Sequence, residues 1–135
     1  MRSHLEFRSA VYADDGAAIA QVLAEHLPHY GFQAQPIIQE DWGWCVPIAH
    51  EAFSLWIGCG HYLEYPDGVL CFIEPSRPFV RRWFRRISTI EPVERLADAL
   101  EAIVEASGEA KHIRWWTDEE AVSYTHLRAH ETRED

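Results

Sequence analysis

Hydrophobic and polar residues alternate along much of this chain, and the alternation gives way to a longer period in three places. His4 to Tyr12 alternates in part and predicts a first strand. Asp14-Asp15-Gly16 then offers carboxylates to a helix start. Ala17, Ala18, Ile19, Val22, Leu23, His26, Leu27 and Tyr30 follow at helical spacing, with Pro28 distorting the last turn and Gly31 stopping it. Phe32 to Gln39 reads as extended, and Pro36 within it predicts an edge or a bulge. Trp42 to Ala49 alternates so that Trp42, Trp44, Val46 and Ile48 share one face, and Phe53, Leu55, Ile57 and Cys59 repeat the pattern. Tyr65-Pro66-Asp67-Gly68 is a turn, and Val69 to Glu74 is a further strand. Such short connections predict an antiparallel meander.

Beyond Pro78 the period lengthens. Val80, Trp83, Phe84 and Ile87 predict a helix, and Thr89 caps another with the stripe Val93, Leu96, Ala97, Leu100, Ile103 and Val104, ended by Gly108. His112 to Trp116 reads as a last strand. The expected order is β-α-β-β-β-β-α-α-β. This is an α+β fold, with one antiparallel sheet of about five or six strands and two to three helices packed on one face.

Composition adds bounds. A chain of 135 residues with 47% apolar and 25% charged residues suits one globular domain, and six Trp, six Phe and five Tyr supply a sizeable core. The formal net charge of −10 argues against a nucleic-acid coat protein and against an anionic-membrane binder. The N-terminus lacks the apolar region of a secretory signal, and no apolar run approaches the roughly 20 residues of a membrane span, so a cytoplasmic location is expected. Cys45, Cys59 and Cys71 are odd in number and lie in predicted strands, which predicts buried reduced thiols. No phosphate loop, dinucleotide fingerprint, serine elbow or paired-histidine zinc motif is present, so neither cofactor nor metal is expected.

The last fourteen residues stand apart. Residues 122–132, Val-Ser-Tyr-Thr-His-Leu-Arg-Ala-His-Glu-Thr, resemble the conceptual translation of a transposase mosaic end plus adaptor used in sequencing-library preparation. The resemblance runs in one reading frame, and Ala121, read as GCT, supplies the two bases that must precede it. It implies a domain over residues 1–121 and a non-native, loosely packed tail over 122–135. The i, i+4 pair His126 and His130 therefore carries no metal-binding weight. The tail holds two arginines and three acids, which leaves the remainder at −9.

Arginine concentrates in one stretch. Arg77, Arg81, Arg82, Arg85 and Arg86 fall within ten residues that contain no acid. On the predicted helix, Arg81, Arg82, Arg85 and Arg86 share the face opposite Val80, Trp83, Phe84 and Ile87. Such a face suits an oxyanion or an acidic protein partner, because guanidinium groups donate bidentately. The competing reading is a solvated face neutralised by Glu91, Glu94, Glu101 and Glu105. Nucleic acid is not expected, since no recognised binding motif accompanies the patch.

Three further constellations are weaker. Glu40 and Asp41 could do acid–base work if burial raised one of them, though acids at a turn more often cap it. Trp42 and Trp44 could form an aromatic binding surface, against the commoner fate of core packing. Cys59 and His61, two apart in a strand, could meet as a nucleophile pair; contact in an open pocket would favour an enzyme, and burial of Cys59 among aliphatics would remove that reading. Zinc through Cys45, His50, Cys59 and His61 does not match a finger or ribbon spacing.

The strand sequences Glu40-Asp41-Trp42-Gly43-Trp44, Leu55-Trp56-Ile57-Gly58-Cys59-Gly60, Cys71-Phe72-Ile73-Glu74-Pro75 and Pro78-Phe79-Val80-Arg81-Arg82 resemble those of small hypothetical bacterial proteins. That resemblance spans most of residues 4–120, implies a bacterial, cytosolic, single-domain protein, and carries no activity. The sequence thus predicts a non-catalytic binding or accessory protein, immunity-like or antitoxin-like in size and charge. Its contact surface would combine Arg81, Arg82, Arg85 and Arg86 with Trp42 and Trp44. The alternative is a small enzyme using Cys59 and His61, or Glu40 and Asp41.

Overall fold

A computed structural model describes residues 1–117 and 119–121; the expectations for the tail lie outside them. The chain order is β1 (Arg2–Arg8), α1 (Ala17–His26) with a 3-10 turn (Leu27–Tyr30), β2 (Ile38–Glu40), β3 (Gly43–Ile48), β4 (Leu55–His61), β5 (Gly68–Glu74), β6 (Phe79–Arg82), β7 (Arg85–Ser88), α2 (Ile90–Ser107) and β8 (Lys111–Thr117). Six strands form one antiparallel sheet in the order β2-β3-β4-β5-β1-β8, and β6 and β7 form a separate two-stranded sheet. The α+β expectation holds.

The local signals explain most of these elements. Asp14 accepts hydrogen bonds from the backbone N–H of Gly16 and Ala18, and Asp15 accepts from that of Ala17, so the two acids satisfy the free donors at the start of α1. Pro28 sits where α1 tightens into the 3-10 turn, and Gly31 closes it in the left-handed conformation. Pro36 precedes β2, one of the sheet's two edge strands among the described residues.

One face of the sheet is covered: α1 lies over β3 and β4, and α2 over β1 and β5. Leu5, Phe7, Val46, Ile57, Cys59, Val69, Cys71 and Ile73 point from the sheet into this core and meet Ile19 and Leu23 of α1 and Val93, Leu96, Leu100 and Val104 of α2. All three cysteines are free and buried. Cys59 and Cys71 are direct cross-strand partners, and their hydrogen bond, followed by burial, holds the Cys59 thiol well above its ordinary pKa.

The opposite face is dressed with aromatic rings. Phe72 lies across Gly58 of the neighbouring strand, where a side chain would collide with the ring. His4 stacks on Phe72 with centroids 5.7 Å apart. Farther along, the Trp116 indole N–H donates to Glu6 Oε1 at 2.6 Å, and Trp116 meets Tyr62 edge-on at 5.7 Å. Burial is the largest cause, ahead of the Glu6 and Glu64 charges, of a Tyr62 phenol pushed up from 10.0 to about 12. A phenol that ionises later folded than unfolded contributes stability that is fully present below pH 10 and is lost as pH rises toward 12. Tyr62→Phe is therefore expected to lose less stability than the natural chain between those values, measured by urea denaturation; equal losses would remove Tyr62 as a source.

One element differs in kind from its expectation. Residues 78–88 form the β6–β7 hairpin and not a helix. Phe79 pairs with Ser88, Val80 with Ile87, Arg81 with Arg86 and Arg82 with Arg85, around a two-residue turn of Trp83 and Phe84. The residues that mimic a helical stripe are the same ones that pair or turn in a hairpin. β-branched Val80 and Ile87 and aromatic Phe79 favour the pleated form.

Candidate binding surfaces

The hairpin projects from the domain and is held at two points. Its base is closed by Thr89, whose backbone N–H donates to the Pro78 carbonyl at 3.0 Å and whose buried hydroxyl donates to the Arg77 carbonyl. Beside the turn, Arg82 Nη1 donates to the Glu51 carbonyl at 2.9 Å and to the Ala52 carbonyl at 3.3 Å. Between this strand and residues 50–54 lies a groove lined by His50, Phe53, Val80 and Arg81. The tip is bare: Trp83 is 87% exposed and Phe84 101%.

The hairpin redistributes the arginines. Cross-strand partners share a face, so Arg81 and Arg86 lie on one side and Arg82 and Arg85 on the other, and the single four-arginine face expected of a helix does not exist. The Arg86 guanidinium sits 3.8 Å from the Phe79 ring centroid. Among the described residues, none of these four arginines joins an ion pair. The glutamates expected to neutralise them are engaged elsewhere in two cases: Glu94 pairs with Arg2, and Glu101 accepts from the Trp115 indole. Like charges placed directly opposite cost each pair roughly 0.2–1 kcal/mol. The hairpin therefore holds a concentration of positive charge that the described fold leaves uncompensated.

A second surface lies on the open face of the sheet. Asp41 and Trp42 form the turn between β2 and β3, so Trp42 precedes the strand and breaks its alternation. Trp42 and Trp44 therefore do not share a face. Trp42 swings onto the open side, with its ring centroid 5.8 Å from that of Trp56 and 5.1 Å from that of Phe72. Trp44 faces the helices, opposite Cys59, and packs against the core. Its indole N–H is buried without an acceptor among the described residues. Trp44→Phe is expected to change the melting temperature little, because removal of an unsatisfied buried donor offsets the loss of part of the indole's packing. A marked fall in melting temperature would contradict that account.

Trp42, Trp56, Phe72, Leu63 and Leu70 wall a cavity of about 580 Å³, and Asp15, Glu40, Asp41 and His61 stand around it. Glu40 and Asp41 are exposed at this rim. Three backbone segments meet beneath it: the loop before α1, the β2–β3 turn, and β4 at Cys59 and Gly60. A Cβ at Gly16 or Gly43 would fall on the Cys59 carbonyl, so glycines at both places allow the segments to close.

The nucleophile pair is not assembled. Cys59 is wholly buried in the core, facing Cys71, whereas His61 is exposed with its Nε2 2.9 Å from the Tyr65 carbonyl oxygen. Among the described residues no group of three or more His, Cys, Asp or Glu is arranged to hold a metal ion, so Cys45, His50, Cys59 and His61 do not converge. No helix of the described residues is long and apolar enough to cross a membrane. The exposed tip is what sequence reasoning missed, because a helical assignment places Trp83 and Phe84 in the core. Comparison of the chain with family models, with curated proteins and with solved structures returns no match.

Proposed function

We propose that the protein is a non-catalytic binding protein that docks through the β6–β7 hairpin onto an acidic protein surface. The observation that carries this reading is the tip itself: two bare aromatic rings between two arginine pairs that no described acid neutralises. Exposed Trp with flanking Arg is the composition of an interface hot spot, in which the rings fill an apolar pocket and the guanidinium groups meet carboxylates around it. A net charge of −10 disfavours a polyanion such as nucleic acid, whose long-range field acts on the whole molecule, while a local acidic patch is reached by the hairpin alone. One hairpin buries little area, which suits a transient complex. Neutralising a partner in the manner of an immunity protein or antitoxin is one form of this role.

A displayed random-peptide library selected on the immobilised full chain tests the reading. Enriched peptides should combine Asp or Glu with apolar residues, and enrichment should vanish on a chain carrying Arg81→Glu and Arg86→Glu. Arg82 is left in place because it anchors the hairpin to Glu51 and Ala52. The same peptides emerging on both chains would overturn the proposal, as would displacement of the peptides by a random-sequence oligonucleotide at physiological salt.

A further inference from the structure

We infer that the cavity on the open face of the sheet is a binding site for a small organic cation: an amine or guanidine carried on an apolar body. The site is separate from the hairpin and does not depend on its role. Its volume of about 580 Å³ falls within the size range of small-molecule pockets. Its walls are apolar and partly open: Trp42 is 46% exposed, Leu63 is 71% exposed, and Trp56, Leu70 and Phe72 are half-buried. Rings packed on one another at 5.1–5.8 Å give a preorganised wall, so little order need be acquired on binding.

Charge selects the class of ligand. Asp15 from the loop before α1, Glu40 from the end of β2 and Asp41 from the β2–β3 turn all line the cavity, and neither arginine nor lysine does. Among the described residues, none of the three joins an ion pair. Asp15 accepts from the Ala17 backbone, so Glu40 and Asp41 are the carboxylates better placed to receive a cationic donor. The exposed face of the Trp42 indole adds attraction for a cation, since tryptophan carries the strongest ring quadrupole of the side chains. An anion would meet three carboxylates, and a neutral apolar molecule would gain nothing from Glu40 and Asp41.

Benzylguanidine is a suitable probe, with benzylurea as its neutral counterpart of similar shape. Titration of the full chain, followed by isothermal calorimetry and by indole fluorescence, should give saturable one-site binding of benzylguanidine and binding of benzylurea weaker by roughly tenfold or more. Trp42→Ala should weaken benzylguanidine by roughly tenfold, and Trp42→Phe by less. The pair Glu40→Gln and Asp41→Asn should bring the two probes toward equal affinity, an effect that loss of fold would not produce. Equal binding of both probes to the natural chain would overturn the inference. So would unchanged binding by the Trp42→Ala chain, or an absence of saturable binding.

Discussion

Replacing Trp83 with glycine is expected to leave the domain at least as stable as the natural chain while abolishing capture of acidic peptides. Trp83 occupies the first position of the two-residue turn with φ 60, a conformation that costs a bulky L-residue about 1–2 kcal/mol. Hairpin turns ordinarily place glycine there. With 87% of its surface in water, the side chain returns little burial energy for that strain. A strained, unburied residue of this kind is what the proposed docking role would explain, since strained positions cluster at binding sites. Glycine relieves the strain but also loosens the unfolded chain, so the expected gain in stability is small, between zero and about 1 kcal/mol. The measurements are thermal denaturation and peptide affinity on the same preparation. A variant that binds as well as the natural chain would show that the tip is not the contact, whatever its stability.

Gly43→Ala carries a large expected cost to the fold, roughly 3 kcal/mol or more, or a fall in melting temperature on the order of 10 °C. Gly43 has φ 151, and its added methyl would meet backbone on two sides, the Cys59 carbonyl and the Asp15 carbonyl. A flexible side chain could move aside, but these carbonyls belong to the middle of a sheet and to the loop that starts α1. The substitution should also weaken benzylguanidine, because separating the β2–β3 turn from β4 carries Trp42 away from Phe72. Gly31→Ala is the useful control: its φ of 84 is also left-handed, but nothing stands within 4 Å of the added atom, so it should cost clearly less. Equal costs at the two positions would mean that backbone conformation, and not the close approach, dominates.

Legibility followed the length of the repeating pattern. The α2 stripe runs for 18 residues between Thr89 and Gly108, long enough that period 3.6 has no competitor. The strands around Ile57 and Cys71 alternate against a buried face and were equally readable. Residues 79–88 were not, because Phe79-Val80, Trp83-Phe84 and Ile87 recur about every four positions, which fits the helical period, while no alternation marks either strand. The near-mirror symmetry of Phe-Val-Arg-Arg and Arg-Arg-Ile-Ser about the Trp83–Phe84 centre was the available sign of a hairpin. The usual sign, an Asn-Gly or Gly at the turn, is missing because Trp83 stands in that place. The cavity was half legible. Glu40, Asp41 and Trp42 adjoin in the sequence, but their neighbours Trp56, Phe72 and Asp15 come from distant parts of the chain, and only the folded sheet and the loop before α1 bring them near.

The strand order also sets a timetable for synthesis. Of the described strands β1 is made first, yet its two neighbours are β5 and β8, so its backbone groups on one side wait for residues 68–74 and on the other for residues 111–117. Until then β2 to β5 can assemble as a local meander, with Leu5 and Phe7 still outside the core they will complete. Strand β1 is thus enclosed on both sides only after β8 has been made, more than a hundred residues behind it.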